Sequence, residues 1–139
     1  MKLRTLAIPG TLAIFVSATV FFAGGNSAFA SGRKCTFGSS NGNIRTCLSV
    51  KGSGLHITNA FASADVVHAT RLIHVILEGP SAALPLGSAT EFVSPGTGIG
   101  VFWGPNKNEP AGNYCAVTWR LNKNGSATQV GRACVNVHS

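Results

Sequence analysis

From Lys34 to the end of the chain, short runs of apolar, β-branched and aromatic residues are broken at close intervals by Gly, Pro, Asn and Ser. Antiparallel strands produce this rhythm, because successive side chains alternate between faces and each strand stops where the backbone must reverse. The runs predict about eight strands, near residues 34–39, 43–50, 55–61, 70–78, 89–94, 98–103, 113–121 and 127–137. In the seventh, Cys115, Val117, Trp119 and Leu121 share one face and Ala116, Thr118 and Arg120 the other; the first set is expected to face the core. The run 71–77 is nearly continuous in sheet-forming apolar residues and is cut off by Gly79-Pro80, as expected of a central strand covered on both faces. Between 60 and 77, Ala62, Ala64, Ala69 and Leu72 are compatible with a turn or two of helix, but most of that stretch argues strand. Loops at 79–87 and 104–112 are polar or Pro-rich and are expected to be exposed.

Turn chemistry places the four cysteines. Ser40-Asn41-Gly42 suits a three-residue hairpin loop with Gly at the left-handed position, and counting outward from it sets Cys35 opposite Cys47. Asn124-Gly125 is a two-residue turn signal whose outward count pairs 123 with 126 and, further out, Cys115 with Cys134. The expected disulfides are therefore Cys35–Cys47 and Cys115–Cys134, with Cys35–Cys134 as the next-ranked pairing. Strict counting puts Cys115 at a hydrogen-bonded pair, and a bulge at Gly131 would shift that register. No Cys-x-x-Cys spacing is present to argue for a metal site.

The first thirty residues read differently from the rest. Lys2 and Arg4 precede an apolar run from 6 to 23, and Ala28-Phe29-Ala30 closes it with small residues flanking a bulky one. That is the layout of a secretory signal peptide, with cleavage expected between Ala30 and Ser31 and a single β-sandwich domain over 31–139. A spanning anchor is the competing reading; Pro9, Gly10, Gly24 and Gly25 interrupt or bound the run. An oxidising destination agrees with an even number of cysteines.

Composition narrows the chemistry. The 139 residues are 45% hydrophobic and only 11% charged, and the net charge of +7 falls to +5 once Lys2 and Arg4 are removed with the leader. One domain of this size is too small for a typical α/β-barrel or dinucleotide-binding enzyme. The basic residues are scattered, so the charge implies attraction to anionic surfaces and no specific nucleic-acid binding. Gly38-Ser39-Ser40-Asn41-Gly42 matches the nucleophile-elbow spacing, but no helix follows it and it serves better as a turn. Asp65 is the only Asp, and nothing in its spacing to His56, His68, His74 or His138 supports a Ser-His-Asp arrangement. His56, His68 and His74 could be assembled as a three-nitrogen metal site, yet no carboxylate-rich surroundings accompany them. Glu78, Glu91 and Glu109 are the only candidates for a paired-carboxylate hydrolase. Asn124-Gly125-Ser126 is formally a glycosylation sequon that coincides with a turn.

The more informative residues are aromatic. Trp103 ends a strand beside the polar loop Gly104-Pro105-Asn106-Lys107-Asn108, where a flat ring with Asn106, Lys107 and Asn108 could stack on a sugar or anchor a protein; the competing role for Trp103 is to plug one end of the sandwich. Trp119, in phase with Val117, is expected in the core against a disulfide, as in immunoglobulin-type domains. Gly112-Asn113-Tyr114-Cys115 also resembles the tyrosine corner of such domains, although Tyr114 adjoins the Cys instead of preceding it by two.

The expectation is an all-β antiparallel sandwich of immunoglobulin-like type, with about seven or eight strands and two disulfides. It would be a secreted, non-enzymatic binding module without catalytic residues, metal, cofactor or a membrane anchor after cleavage, acting through Trp103, Asn106, Lys107 and Asn108. Its partner would be a cell-wall polymer, another polysaccharide or an extracellular protein. The alternatives are a secreted protease inhibitor or antagonistic toxin that inserts the loop at 79–87 or 104–112, and a small hydrolase using His74 and Glu78.

Overall fold

The computed structural model describes residues 31–38 and 43–139; the expected signal peptide at 1–30, its cleavage site and most of the first hairpin loop, 39–42, lie outside them. The strands are β1 (Gly32–Phe37), β2 (Ile44–Ser53), β3 (His56–Val66), β4 (Arg71–Glu78), β5 (Leu86–Gly87), β6 (Glu91–Val93), β7 (Gly98–Trp103), β8 (Lys107–Asn108), β9 (Gly112–Leu121) and β10 (Ala127–Val137). They form two antiparallel sheets. The first has the order β1-β2-β3-β7, with β8 also on β3; the second has the order β10-β9-β4-β5, with β6 also on β4. The expected all-β sandwich is thus the fold, and among the described residues there is no helix.

Alternation fills the space between the sheets. β2 contributes Ile44, Leu48 and Val50, β3 contributes Ala60, Ala62, Ala64 and Val66, and β4 contributes Ile73, Val75 and Leu77, all buried in one cluster with Trp103, Tyr114 and the inward residues of β10. Burying one of the larger aliphatic side chains stabilises the fold by about 1.5–3 kcal/mol. One polar bridge crosses this interior: the Thr46 and Thr118 hydroxyls are 2.7 Å apart and both residues are fully buried. One hydroxyl donates to the other, so neither oxygen is buried without a hydrogen-bond partner, which lowers the cost of burying the pair.

Several expectations change. The segment after Phe61 continues as strand to Val66, because Ala60, Ala62 and Ala64 alternate with outward Phe61, Ser63 and Asp65, so the helical reading of those alanines is lost to a period of two. β9 is turned the other way round. Tyr114, Ala116 and Thr118 face the opposite sheet, while Cys115, Val117 and Trp119 lie on the outer side; Cys115 and Val117 are buried there without joining the main core. Trp119 is only partly buried and pairs across the strands with His74 and Gln129, so it is not the core tryptophan. The loops at 79–87 and 104–112 are also less free than expected: each contains a two-residue strand, and Ser81 and Glu109 are buried.

Both predicted disulfides are present, each joining neighbouring strands within one sheet. Cys35 stands opposite Cys47 and Cys115 opposite Cys134. The second pair arises through two offsets. Asn122 N donates to Ser126 O at 2.8 Å, so the hairpin loop holds Lys123, Asn124 and Gly125, one residue more than the two-residue turn expected, with Gly125 at φ 85°. A bulge between Gln129 and Gly131 then restores the count.

Gly131, beside that bulge, meets the Thr46–Thr118 bridge. A Cβ at Gly131 would overlap Thr46 Oγ1 and lie 2.9 Å from Thr46 Cβ. Gly131→Ala is therefore expected to lower the unfolding free energy by about 2 kcal/mol, as overpacking does where the neighbour is buried. Urea unfolding of the two proteins checks it; equal midpoints would mean that Thr46 can turn away at no cost.

Candidate functional site

Of the residues predicted to act together, the structure buries Trp103 and leaves Asn106, Lys107 and Asn108 exposed. Trp103 is only 8% exposed and its indole turns inward, stacking on Tyr114 with ring centroids 6.0 Å apart and planes at 22°. It joins the two sheets and does not offer a flat ring to solvent. Asn106 has a left-handed backbone, φ 48°, and its Oδ1 accepts from His56 Nε2 at 3.2 Å. Lys107 and Asn108 form β8 and pair with Ile57 and His56 on β3. Lys107 Nζ stands 3.7 Å from Glu109 Oε1, an ion pair too long to be a hydrogen bond, and the Oε1 atom has no hydrogen-bond partner in the structure.

Other candidate groups are dispersed. His56 lies on β3 in the first sheet and His74 on β4 in the second, and among the described residues no three metal-ligating side chains come together. Glu78 pairs with Arg132 at 3.1 Å, Glu109 with Lys107, and Glu91 is exposed on β6. Asn124 Oδ1 accepts from the Ser126 backbone and hydroxyl, in agreement with the turn reading of the sequon.

Beside Trp103, the tyrosine corner does form. Tyr114 is fully buried and its hydroxyl donates to Pro110 O at 2.8 Å. Burial, and secondly the negative charge of Glu109, push its ionisation up to about 12. An unfolded tyrosine ionises near about 10, so below that pH both states are protonated and stability is unaffected. Between the two values only the unfolded chain loses its proton, and stability is expected to fall, levelling off above the folded value. Tyr114 is the only tyrosine, so phenolate absorbance reports it directly. Tyr114→Phe is expected to remove this part of the alkaline slope; phenolate formation at the ordinary value in folded protein would contradict the assignment.

The surface that sequence reasoning missed is aromatic. All four phenylalanines of the described residues are exposed: Phe37 by 60%, Phe61 by 44%, Phe92 by 76% and Phe102 by 66%. Three of them share the outer face of the first sheet. The strand registers align Arg33, Ser49, Phe61 and Phe102 in one row across β1, β2, β3 and β7. The next row holds the Cys35–Cys47 bridge, Ser63 and Gly100, and the one after it Phe37, Arg45, Asp65 and Gly98. Gly100 is required there, because a Cβ would come within 2.6 Å of the Phe61 ring.

Around this aromatic pair the face is concave and basic. Arg33, Lys51, Asn59, Phe61 and Phe102 line a shallow groove of about 510 Å³, and a second groove of about 480 Å³ lies on the other side of Phe61 over Gly98 and Gly100. Arg45 Nε donates to Asp65 Oδ1 at 2.8 Å, which raises the guanidinium's ionisation above its ordinary value, and neither Arg33 nor Lys51 has an acidic side chain within ion-pairing distance. One signal could have revealed this face. On β7, placing Trp103 in the core forces Phe102 outward, and on β3 Phe61 is in phase with Ser63 and Asp65.

No family of known sequences, no curated protein and no solved structure matches the chain.

Proposed function

We propose that this protein is a secreted, non-enzymatic binding module whose working surface is the outer face of the first sheet, and that its partner is a polysaccharide of the cell wall or extracellular matrix. The observation that carries the reading is the outward placement of every described phenylalanine, three of them on one sheet face, in a domain whose core takes none. Exposed rings cost solvation in a free monomer, and aromatic side chains grouped on one surface mark contact sites. Phe61 and Phe102 supply flat apolar faces for a sugar ring; Ser49, Asn59 and Ser63 supply hydrogen-bonding groups; Arg33 and Lys51 supply charge for acidic substituents. Export agrees with the leader-like residues 1–30 and with two disulfides.

The inhibitor reading needs a projecting loop. Leu84 and Leu86 pack against the core, and Glu109 N donates to Leu55 O at 2.9 Å, so both candidate loops are held to the body of the domain. Co-sedimentation with insoluble cell wall, chitin and cellulose across a salt series tests the proposal. Binding that survives high salt and weakens about tenfold in Phe102→Ala is expected, a loss of about 1.4 kcal/mol. Binding that disappears with salt and is indifferent to Phe102 and Phe61 would reduce the interaction to bulk charge.

A further inference from the structure

The fourth exposed phenylalanine lies elsewhere. At the end of the second sheet where β4 begins and β9 stops, Leu72 pairs with Phe92 on β6 and Ile73 with Arg120 on β9. Arg71, Leu72, Phe92, Arg120, Leu121 and Lys123 line a groove there of about 510 Å³. Three cations border it and no acidic residue lines it.

The charge is uncompensated. The whole chain has four acidic residues, all among those described. Asp65, Glu78 and Glu109 are paired with Arg45, Arg132 and Lys107, and Glu91 forms no ion pair. Arg71 and Arg120 are both partly buried residues, and neither has a carboxylate within ion-pairing distance. Arg71 Nη1 donates only to the adjacent Thr70 carbonyl, at 3.0 Å. Like charges around one concavity repel each other, and an anion relieves the repulsion. A guanidinium fork also matches the oxygens of phosphate, sulfate or carboxylate. The apolar part of the groove, Leu72, Phe92 and Leu121, has no partner in that chemistry and needs a second one.

We propose that this groove binds a single anionic amphiphile, with its phosphate, sulfate or carboxylate head between Arg71, Arg120 and Lys123 and its apolar body against Leu72, Phe92 and Leu121. The volume lies within the range of small-ligand sites. A bilayer would call for several projecting apolar side chains; here Phe92 alone is highly exposed, and Leu72 and Leu121 are partly buried. The site is on the opposite sheet from the polysaccharide-binding face and does not depend on it.

Calorimetric titration of the purified protein with hexyl phosphate, inorganic phosphate and hexanol tests it. Hexyl phosphate is expected to saturate one site, inorganic phosphate to bind at least about tenfold more weakly, and hexanol to give no saturable signal. Arg120→Gln and Phe92→Ser, each with a parental unfolding midpoint, are both expected to weaken hexyl phosphate about tenfold, whereas Lys34→Gln on the other sheet leaves it unchanged. Equal affinity for inorganic and hexyl phosphate, or indifference to Phe92→Ser, would remove the apolar half of the proposal. Indifference to Arg120→Gln would remove the ionic half. Variant-sensitive binding to phosphatidylglycerol vesicles or to heparin, without binding of hexyl phosphate, would replace the amphiphile by a membrane surface or an anionic polymer and overturn it.

Discussion

Tyr114→Ala is expected to cost about 3–5 kcal/mol of unfolding free energy, the range for truncating a buried aromatic side chain. Tyr114 is the largest fully buried side chain in the described domain and does three things at once. Its ring stacks on Trp103 from the facing sheet, its edge fills the space left by Gly79, where a Cβ would be 2.5 Å from Cδ1, and its hydroxyl ties the approach to β9 through Pro110 O. Small domains have total stabilities of about 5–15 kcal/mol, so the variant would retain little margin. Tyr114→Phe separates the contributions: it keeps the stack and is expected to lose only about 1 kcal/mol, the net worth of one hydrogen bond. Urea unfolding of the three proteins measures both steps. Near-equal losses for Phe and Ala would mean that the hydroxyl, and not the ring, holds this end of the sandwich together.

Replacing Cys115 and Cys134 together by Ala is expected to cost about 3 kcal/mol, because the bridge closes a loop with a sequence separation of 19 and so restricts the unfolded chain. The bond lies within a sheet, between strands already paired along ten register positions, so its loss leaves β9 and β10 hydrogen-bonded. The effect therefore falls mainly on the unfolded state, and the folded variant should keep the circular dichroism of the parent. The equivalent removal of Cys35 and Cys47, with a separation of 12, is expected to cost nearly as much. A loss below about 1 kcal/mol for the first pair would show that the unfolded ensemble already holds these strands near each other.

The disulfide pairing was legible in the sequence, although one intermediate step differed. Counting outward from Asn124-Gly125 put Cys115 opposite Cys134, but the loop has three residues and the bulge between Gln129 and Gly131 absorbs the extra one. Two local departures of opposite sign leave the distant register unchanged. The face of β9 had no such cancellation. Both of its faces carry apolar residues, Cys115, Val117 and Trp119 on one and Tyr114, Ala116 and the methyl of Thr118 on the other, so periodicity established the alternation without choosing the inside. The choice is made by what waits on the facing sheet: Trp103 for the Tyr114 ring and Thr46 for the Thr118 hydroxyl.

The same reasoning explains the site. A tryptophan followed by a polar loop reads equally well as a platform and as a plug, and the stack on Tyr114 makes Trp103 a plug. With Trp103 inward, its neighbour Phe102 is carried outward beside Phe61, and Gly100 gives the Phe61 ring a place to lie. By itself the sequence determined the strand rhythm, the positions of most of the strands, the cysteine pairing and the basic charge, all of which follow from local alternation, turn chemistry and composition. Only the tertiary structure decided which face of each strand is buried and which aromatics reach solvent, because that depends on how two sheets distant in sequence fit against each other.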